Sequence, residues 1–129
     1  MNILIADDHP AILKTYDIYL RSEGHEVIIA STPEEAFEYL KQNAIDVGII
    51  DFDFSGMLGE LRNGMEVVMK ARKIGITTPI IINTGYPGAT EDSIGKLSEQ
   101  EKRYLKPLRI YLKLSLESIR VAIAEVIKS

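Results

Sequence analysis

The chain has 129 residues, 46% of them apolar and 26% charged, with a net charge of −4. That length suits one domain with a single core, and the composition is that of a folded chain. The acidic balance argues against a general nucleic-acid-binding surface, and the absence of cysteine excludes disulfides and thiolate metal sites. It also agrees with a reducing, cytoplasmic setting. The amino terminus runs straight into a short strand and two acids, unlike a signal peptide, and no apolar run approaches the length of a membrane span.

Asn2 to Ala6 is a short apolar run ended by Asp7 and Asp8, which predicts a buried strand. Pro10 can open a helix whose inner face is Ile12, Leu13, Tyr16 and Leu20, stopped by Gly24. Glu26 to Ala30 predicts a second strand. Ser31-Thr32-Pro33-Glu34-Glu35 then gives a hydroxyl cap, a proline just inside and acids in the first turn of a helix burying Ala36, Phe37 and Leu40. Val47 to Ile50 is a β-branched run that stops at Asp51, Asp53 and Gly56, the pattern of a strand buried on both faces. Residues 57–63 predict a loop, and a helix from Asn63 or Gly64 to Gly75 is expected to bury Met65, Val68, Met69 and the stem of Arg72. Pro79 to Ile82 predicts a fourth strand closed by Asn83-Thr84-Gly85, followed by a turn at Tyr86-Pro87-Gly88. Glu91 to Glu101 predicts a weak helix, Arg103 to Leu105 a brief fifth strand ending at Lys106-Pro107, and Arg109 to Ile127 a long helix. The stripe of that helix is Leu112, Leu116, Ile119, Ile123 and Val126, with Tyr111, Leu114 and Val121 on a second face.

Five βα units in alternation call for an α/β fold: a (βα)5, flavodoxin-like, five-stranded parallel sheet in the order 2-1-3-4-5 with helices on both faces. A single domain over residues 1–129 with no output domain is expected. This order puts strands one and three at the topological switch point, so Asp7, Asp8 and Asp51 converge on one crevice. Carboxylates that close together need a cation, and an all-oxygen donor set suits Mg²⁺. A lysine such as Lys106 and a hydroxyl such as Thr84 on the same rim would complete the equipment for phosphoryl transfer to an aspartate.

Over nearly its whole length the chain resembles the receiver domain of two-component response regulators. The resemblance is carried by Ile3-Leu4-Ile5-Ala6-Asp7-Asp8-His9-Pro10, by Asp46 to Asp51, by Pro79 to Gly85 and by Tyr104-Leu105-Lys106-Pro107. It implies that Asp51 is the phosphoacceptor, that Asp7 and Asp8 hold Mg²⁺ with Asp8 the more direct ligand, and that Asp53 lends its backbone carbonyl. It implies further that Thr84 is the switch hydroxyl, that Lys106 is the site lysine, and that Lys106-Pro107 is cis. The implied partners are a sensor histidine kinase or a His-containing phosphotransfer protein and a downstream protein on the helix 4–strand 5–helix 5 face. A homodimer is possible, with neither direct nucleic-acid contact nor membrane insertion.

The sequence departs from the family at three places. Ser55 stands where proline is usual, and the helix-three signature recurs about five residues late as Asn63-Gly64-Met65-Glu66, which implies an insertion after Asp51. Arg103 stands three residues before Lys106, where an aromatic is usual. Two other functions compete. Asp51-Phe52-Asp53-Phe54-Ser55 resembles the nucleophile motif of haloacid-dehalogenase-type phosphatases, but that family places its acidic pair after the lysine, whereas Asp7 and Asp8 come first. An unphosphorylated pseudo-receiver is the other alternative. His9 and His25 read as surface residues.

Overall fold

The short apolar runs form strands because β-branched side chains pack well on a pleated sheet with both faces covered. The computed structural model describes residues 1–42, 44–54, 59, 61–85, 95–112 and 114–128. Strands β1 (Asn2–Ala6), β2 (Glu26–Ala30), β3 (Val47–Asp51), β4 (Ile80–Thr84) and β5 (Leu108–Leu112) make one sheet in the order β2-β1-β3-β4-β5. All four pairings are parallel. The flavodoxin-like order expected from the βα alternation is therefore the observed one. The insides of β1, β3 and β4 are almost wholly buried, with Ile3, Leu4, Val47, Ile50 and Ile80 to Ile82 all at 0% exposure.

Side-chain alternation divides the core into two layers. One layer joins Leu4, Ala6, Ile50, Ile80 and Ile82 to α2 (Pro33–Gln42) and α3 (Gly64–Lys73), through Phe37, Leu40, Met65, Val68 and Ala71. The other joins Ile3, Ile5, Val47, Ile49 and Ile81 to α1 (Pro10–Ser22) and to the last helix, through Leu13, Tyr16, Leu20, Ile119 and Ile123. Helices α1 and α3 are followed by Gly24 and Gly75, each at φ 89°, where only glycine is comfortable. In α3 the buried stripe leans toward Val67 and Ala71, which leaves Met69 at the margin, 41% exposed, contrary to expectation.

The last third of the chain is where the structure corrects the sequence reading. Residues 103–105 are helical and belong to α4 (Glu99–Leu105). Residues 91–94 of the helix expected at Glu91–Glu101, like the turn at Tyr86-Pro87-Gly88, lie outside the described residues. The start of α4 is set by a capping box: the Ser98 side chain accepts from the Glu101 N–H at 3.1 Å, and the Glu101 carboxylate accepts from the Ser98 N–H at 3.0 Å. Strand β5 then runs from Leu108 to Leu112, where the start of a long helix was expected, and the last helix, α5, covers only Ile119–Lys128. Leu-Arg-Ile-Tyr-Leu carries the aromatic and branched residues that suit a strand, and pairing with β4 outweighs its helical periodicity. Tyr111 therefore belongs to a strand, Leu112 is 57% exposed, and Leu114 is buried against the α1 layer. No helix among the described residues is long and apolar enough to cross a membrane.

Candidate functional site: an acidic rim

The parallel register brings the acids together. Ala6 pairs with Ile50 and Asp51 with Asn83, so Asp7 and Asp8, Asp51 and Thr84 all emerge at the carboxyl-terminal rim of β1, β3 and β4. The Asp7 N–H is tied to the Ala30 carbonyl at 3.1 Å, which fixes the chain as it leaves β1. Ligand atoms of Asp7, Asp8, His9 and Asp51 all lie within 4.8 Å of one another. Beside them opens a cavity of about 570 Å³ whose walls include Asp7, Tyr16, Asp51, Asn83, Thr84 and Leu114.

Charge at this rim is poorly compensated. Burial, and then the neighbouring carboxylates of Asp7 and Asp8, push Asp51 up to about 7, and a hydrogen bond from the Asp53 backbone opposes them. Asp7 Oδ1 accepts from the His9 N–H and lies 2.9 Å from His9 Nδ1. His9 Nδ1 is also 3.0 Å from Asp8 Oδ1, and its pKa is raised, first by the Asp7 hydrogen bond and then by the two aspartate charges. Asp8 Oδ1 is buried and accepts no hydrogen bond, its contact with His9 being one of charge alone. A buried, unsatisfied carboxylate oxygen among further carboxylates fits a hard divalent cation, and the cluster is of the kind that holds Mg²⁺ in receiver domains. His9, expected to be a plain surface residue, is thus exposed yet bonded into the cluster. Its place directly after Asp8 was the available signal.

The helix behind Asp51 is set by close approach. Asn63 caps α3 by accepting the Glu66 N–H at 2.9 Å. A Cβ added to Gly64 would lie 2.3 Å from the Asp51 carbonyl oxygen, so this position admits glycine alone. Asp53 forms an antiparallel bridge with Asn63, and the Gly64 N–H donates to the Phe52 carbonyl at 2.9 Å. Asp53 and Asn63, at the two ends of the stretch that follows Asp51, are thus adjacent. Phe54 and Leu61 are buried at its two ends, and the Leu61 N–H donates to Glu34 of α2 at 3.1 Å. Residues 55–58 and 60, including Ser55, lie outside the described residues.

Lys106 is not at this rim. It is the exposed C-cap of α4 and precedes β5, and the first β5 residue, Leu108, pairs with Ile80, the first of β4. That places Lys106 at the amino-terminal edge of the sheet, opposite the acids. The Lys106-Pro107 bond is cis, as the resemblance implied, but in a different setting. The segment is held by Arg72, whose guanidinium donates to the carbonyls of Leu105, Ile76 and Pro107, each at 2.9 Å. Arg103 is likewise on α4, away from the acidic rim. The carboxyl end of β5 is Leu112, paired with Thr84, and the next residue in the sequence is Lys113. Strand β5 could have been recognised from the repeat of the motif: Tyr104-Leu105-Lys106 recurs as Tyr111-Leu112-Lys113.

An open parallel sheet with an acidic cluster at its switch point defines the class of doubly wound α/β proteins that bind ligands beyond the carboxyl ends of their strands. Residues 3–106 match the response regulator receiver domain, and the chain belongs to that family. It is 29% identical over 107 residues to the heme response regulator HssR of Staphylococcus saprophyticus, covering 83% of this chain and 45% of that protein. It is 28% identical over 106 residues to the sensor histidine kinase RcsC of Salmonella typhimurium, covering 82% of this chain and 10% of that one. The chain thus spans less than half of either relative. Among solved structures, a CheY-like receiver domain protein from Methanospirillum hungatei matches with TM-score 0.76 and 27% identity, over 98% of this chain and 93% of that one. A receiver domain protein from Clostridium thermocellum matches with TM-score 0.75 and 25% identity, over 98% and 94%. Family membership sets the phosphatase alternative aside: a receiver domain is a signalling module rather than a classical enzyme.

Proposed function

We propose that this receiver accepts a phosphoryl group from a phosphohistidine onto Asp51, and that the new charge changes a partner-binding surface. The observation that carries the reading is the convergence of Asp7, Asp8 and Asp51 within 4.8 Å at the rim, with one Asp8 oxygen buried and unsatisfied. Asp7 and Asp8, the Asp51 carboxylate and the Asp53 carbonyl would hold Mg²⁺, which when bound would neutralise the cluster and the phosphoryl oxygens. A carboxylate oxygen of Asp51 attacks phosphorus in line, the P–N bond breaks, and its electron pair returns to the imidazole of the donor. Asp51 must be ionised to attack, and lowering its raised pKa is therefore part of the cation's effect. Thr84, 3% exposed at the end of β4, is the hydroxyl assigned to the phosphorylated state.

The lysine role passes from Lys106 to Lys113, on the ground of its place in the sequence directly after β5. The residue three before it is then Ile110, which removes the aromatic side chain from the switch position. A histidine kinase or phosphotransfer protein is the donor, in the cytoplasm, and a downstream protein or a second copy takes the α4–β5–α5 face, where Leu112 and Val121 are each 57% exposed.

Intact-mass measurement after incubation with Mg²⁺ and a small-molecule acyl phosphate tests the reading. One alkali-labile phosphoryl adduct is expected, absent in Asp51→Asn and in the presence of a chelator. An adduct that survives Asp51→Asn, or none in wild type, sinks the proposal, and the second outcome favours the pseudo-receiver. Asp53→Asn is expected to change the lifetime of the adduct, since an acid two residues from the acyl phosphate can repel or orient water.

A further inference from the structure

We infer that Tyr16 and Asn83 are positioning residues for phosphoryl transfer at Asp51, acting through the backbone of Leu114; this rests on the function proposed above. Asn83 interrupts the apolar β4 run Ile80-Ile81-Ile82 with an amide on the α1–α5 side of the sheet. Its Oδ1 accepts the Leu114 N–H at 2.8 Å, and its Nδ2 donates to the Tyr16 hydroxyl at 3.2 Å. The Tyr16 hydroxyl in turn donates to the Leu114 carbonyl. The three residues close a ring of hydrogen bonds that takes both backbone polar groups of Leu114. Tyr16 is 7% and Leu114 5% exposed, so these polar groups sit where an unpaired one is costly.

The ring is built into the site rather than beside it. Tyr16, Asn83 and Leu114 wall the same cavity as Asp7, Asp51 and Thr84, and Asn83 is the register partner of Asp51. Burial raises the Tyr16 pKa, the Asn83 hydrogen bond opposes that rise, and the charges of Asp7 and Asp51 add to it. Leu114 follows Lys113 in the sequence, so the ring ties the residue next to that lysine to β4 and α1. Apolar side chains would fill the layer as well. What the pair adds is a fixed place for the backbone of Leu114, and small displacements of reacting groups are expensive in rate.

The test compares Tyr16→Phe, Asn83→Leu and Lys113→Ala, singly and combined, by the rate of Asp51 phosphorylation at saturating Mg²⁺ and acyl phosphate. Tyr16→Phe and Asn83→Leu are each expected to slow the reaction by about tenfold, and to slow it no further in a Lys113→Ala background. The Mg²⁺ dissociation constant should stay within about twofold of wild type, which separates positioning from a general loosening of the site. Exchange of the Leu114 amide should accelerate in Asn83→Leu whether or not Asp51 is phosphorylated. Rates unchanged by Tyr16→Phe and Asn83→Leu, or losses that multiply with Lys113→Ala, overturn the inference while leaving the proposed function intact. Wild-type protein that takes up no phosphoryl group overturns both.

Discussion

The two rims of the sheet both bury charge, and they treat it in opposite ways. At the amino-terminal edge, Arg72 is 4% exposed, and burial lowers its pKa to about 10, yet each of three guanidinium nitrogens donates to a carbonyl. It therefore stays charged at neutral pH, with a carbonyl partner for every nitrogen. At the carboxyl-terminal rim, three aspartates face one another, one oxygen of Asp8 has no hydrogen bond, and Asp51 is pushed up to about 7. A satisfied buried charge holds chain segments together; an unsatisfied one stores free energy that a ligand can release. The site is at the second rim because the fold gathers three carboxylates there with one exposed imidazole against them.

Breaking the first rim should have the largest effect on stability and the least on chemistry. Arg72→Met leaves three carbonyls without their donor and is expected to destabilise by about 3 kcal/mol in urea unfolding, with phosphoryl uptake by the folded fraction preserved. The two lysines test the assignment proposed above. Lys113→Ala is expected to slow phosphorylation of Asp51 by about a hundredfold, and Lys106→Ala by less than about twofold, measured by intact mass against time. Equal effects of the two would erase the distinction between the rims.

Gly64→Ala probes the approach of α3 to the site. The added Cβ would meet the Asp51 carbonyl at 2.3 Å, so a loss of about 2 kcal/mol is expected, together with slower phosphorylation as β3 shifts. The smallest effect is electrostatic. With the folded pKa of Asp51 raised from 3.8 to about 7, the native state holds its proton where the unfolded chain has lost it. Stability of the cation-free protein should therefore fall as pH rises from about 4 to about 7, by about 1 kcal/mol once screening at this half-open position is counted. Asp51→Asn should lack that fall, and saturating Mg²⁺ should remove it. Thermal melts across this pH range in chelator provide the measurement.

Most of the fold and the acidic half of the site were legible in the sequence. Asp7, Asp8 and Asp51 were assigned to one crevice from strand ends and strand order, and the register brings them there. Lys106 was assigned to the same rim, whereas the register puts it at the opposite edge, and the reason is local. Tyr-Leu-Lys occurs twice, and the first copy carries the proline that the family leads one to look for. Ser98-Glu99-Gln100-Glu101 held the corrective signal, since a capping box there makes residues 103–105 a helix and moves the strand to Leu108. Asn83 and Tyr16 were hidden for another reason. Hydrogen bonds across 31 and 67 residues leave no periodic trace, and the only mark of this ring was a polar residue ending an apolar run.

The bridge between Asp53 and Asn63 also bears on how this family member can vary. Because Asp53 and Asn63 are pinned side by side, residues added between the buried Phe54 and Leu61 would cost chiefly the entropy of closing a longer loop. Each doubling of length costs about 0.6 kcal/mol.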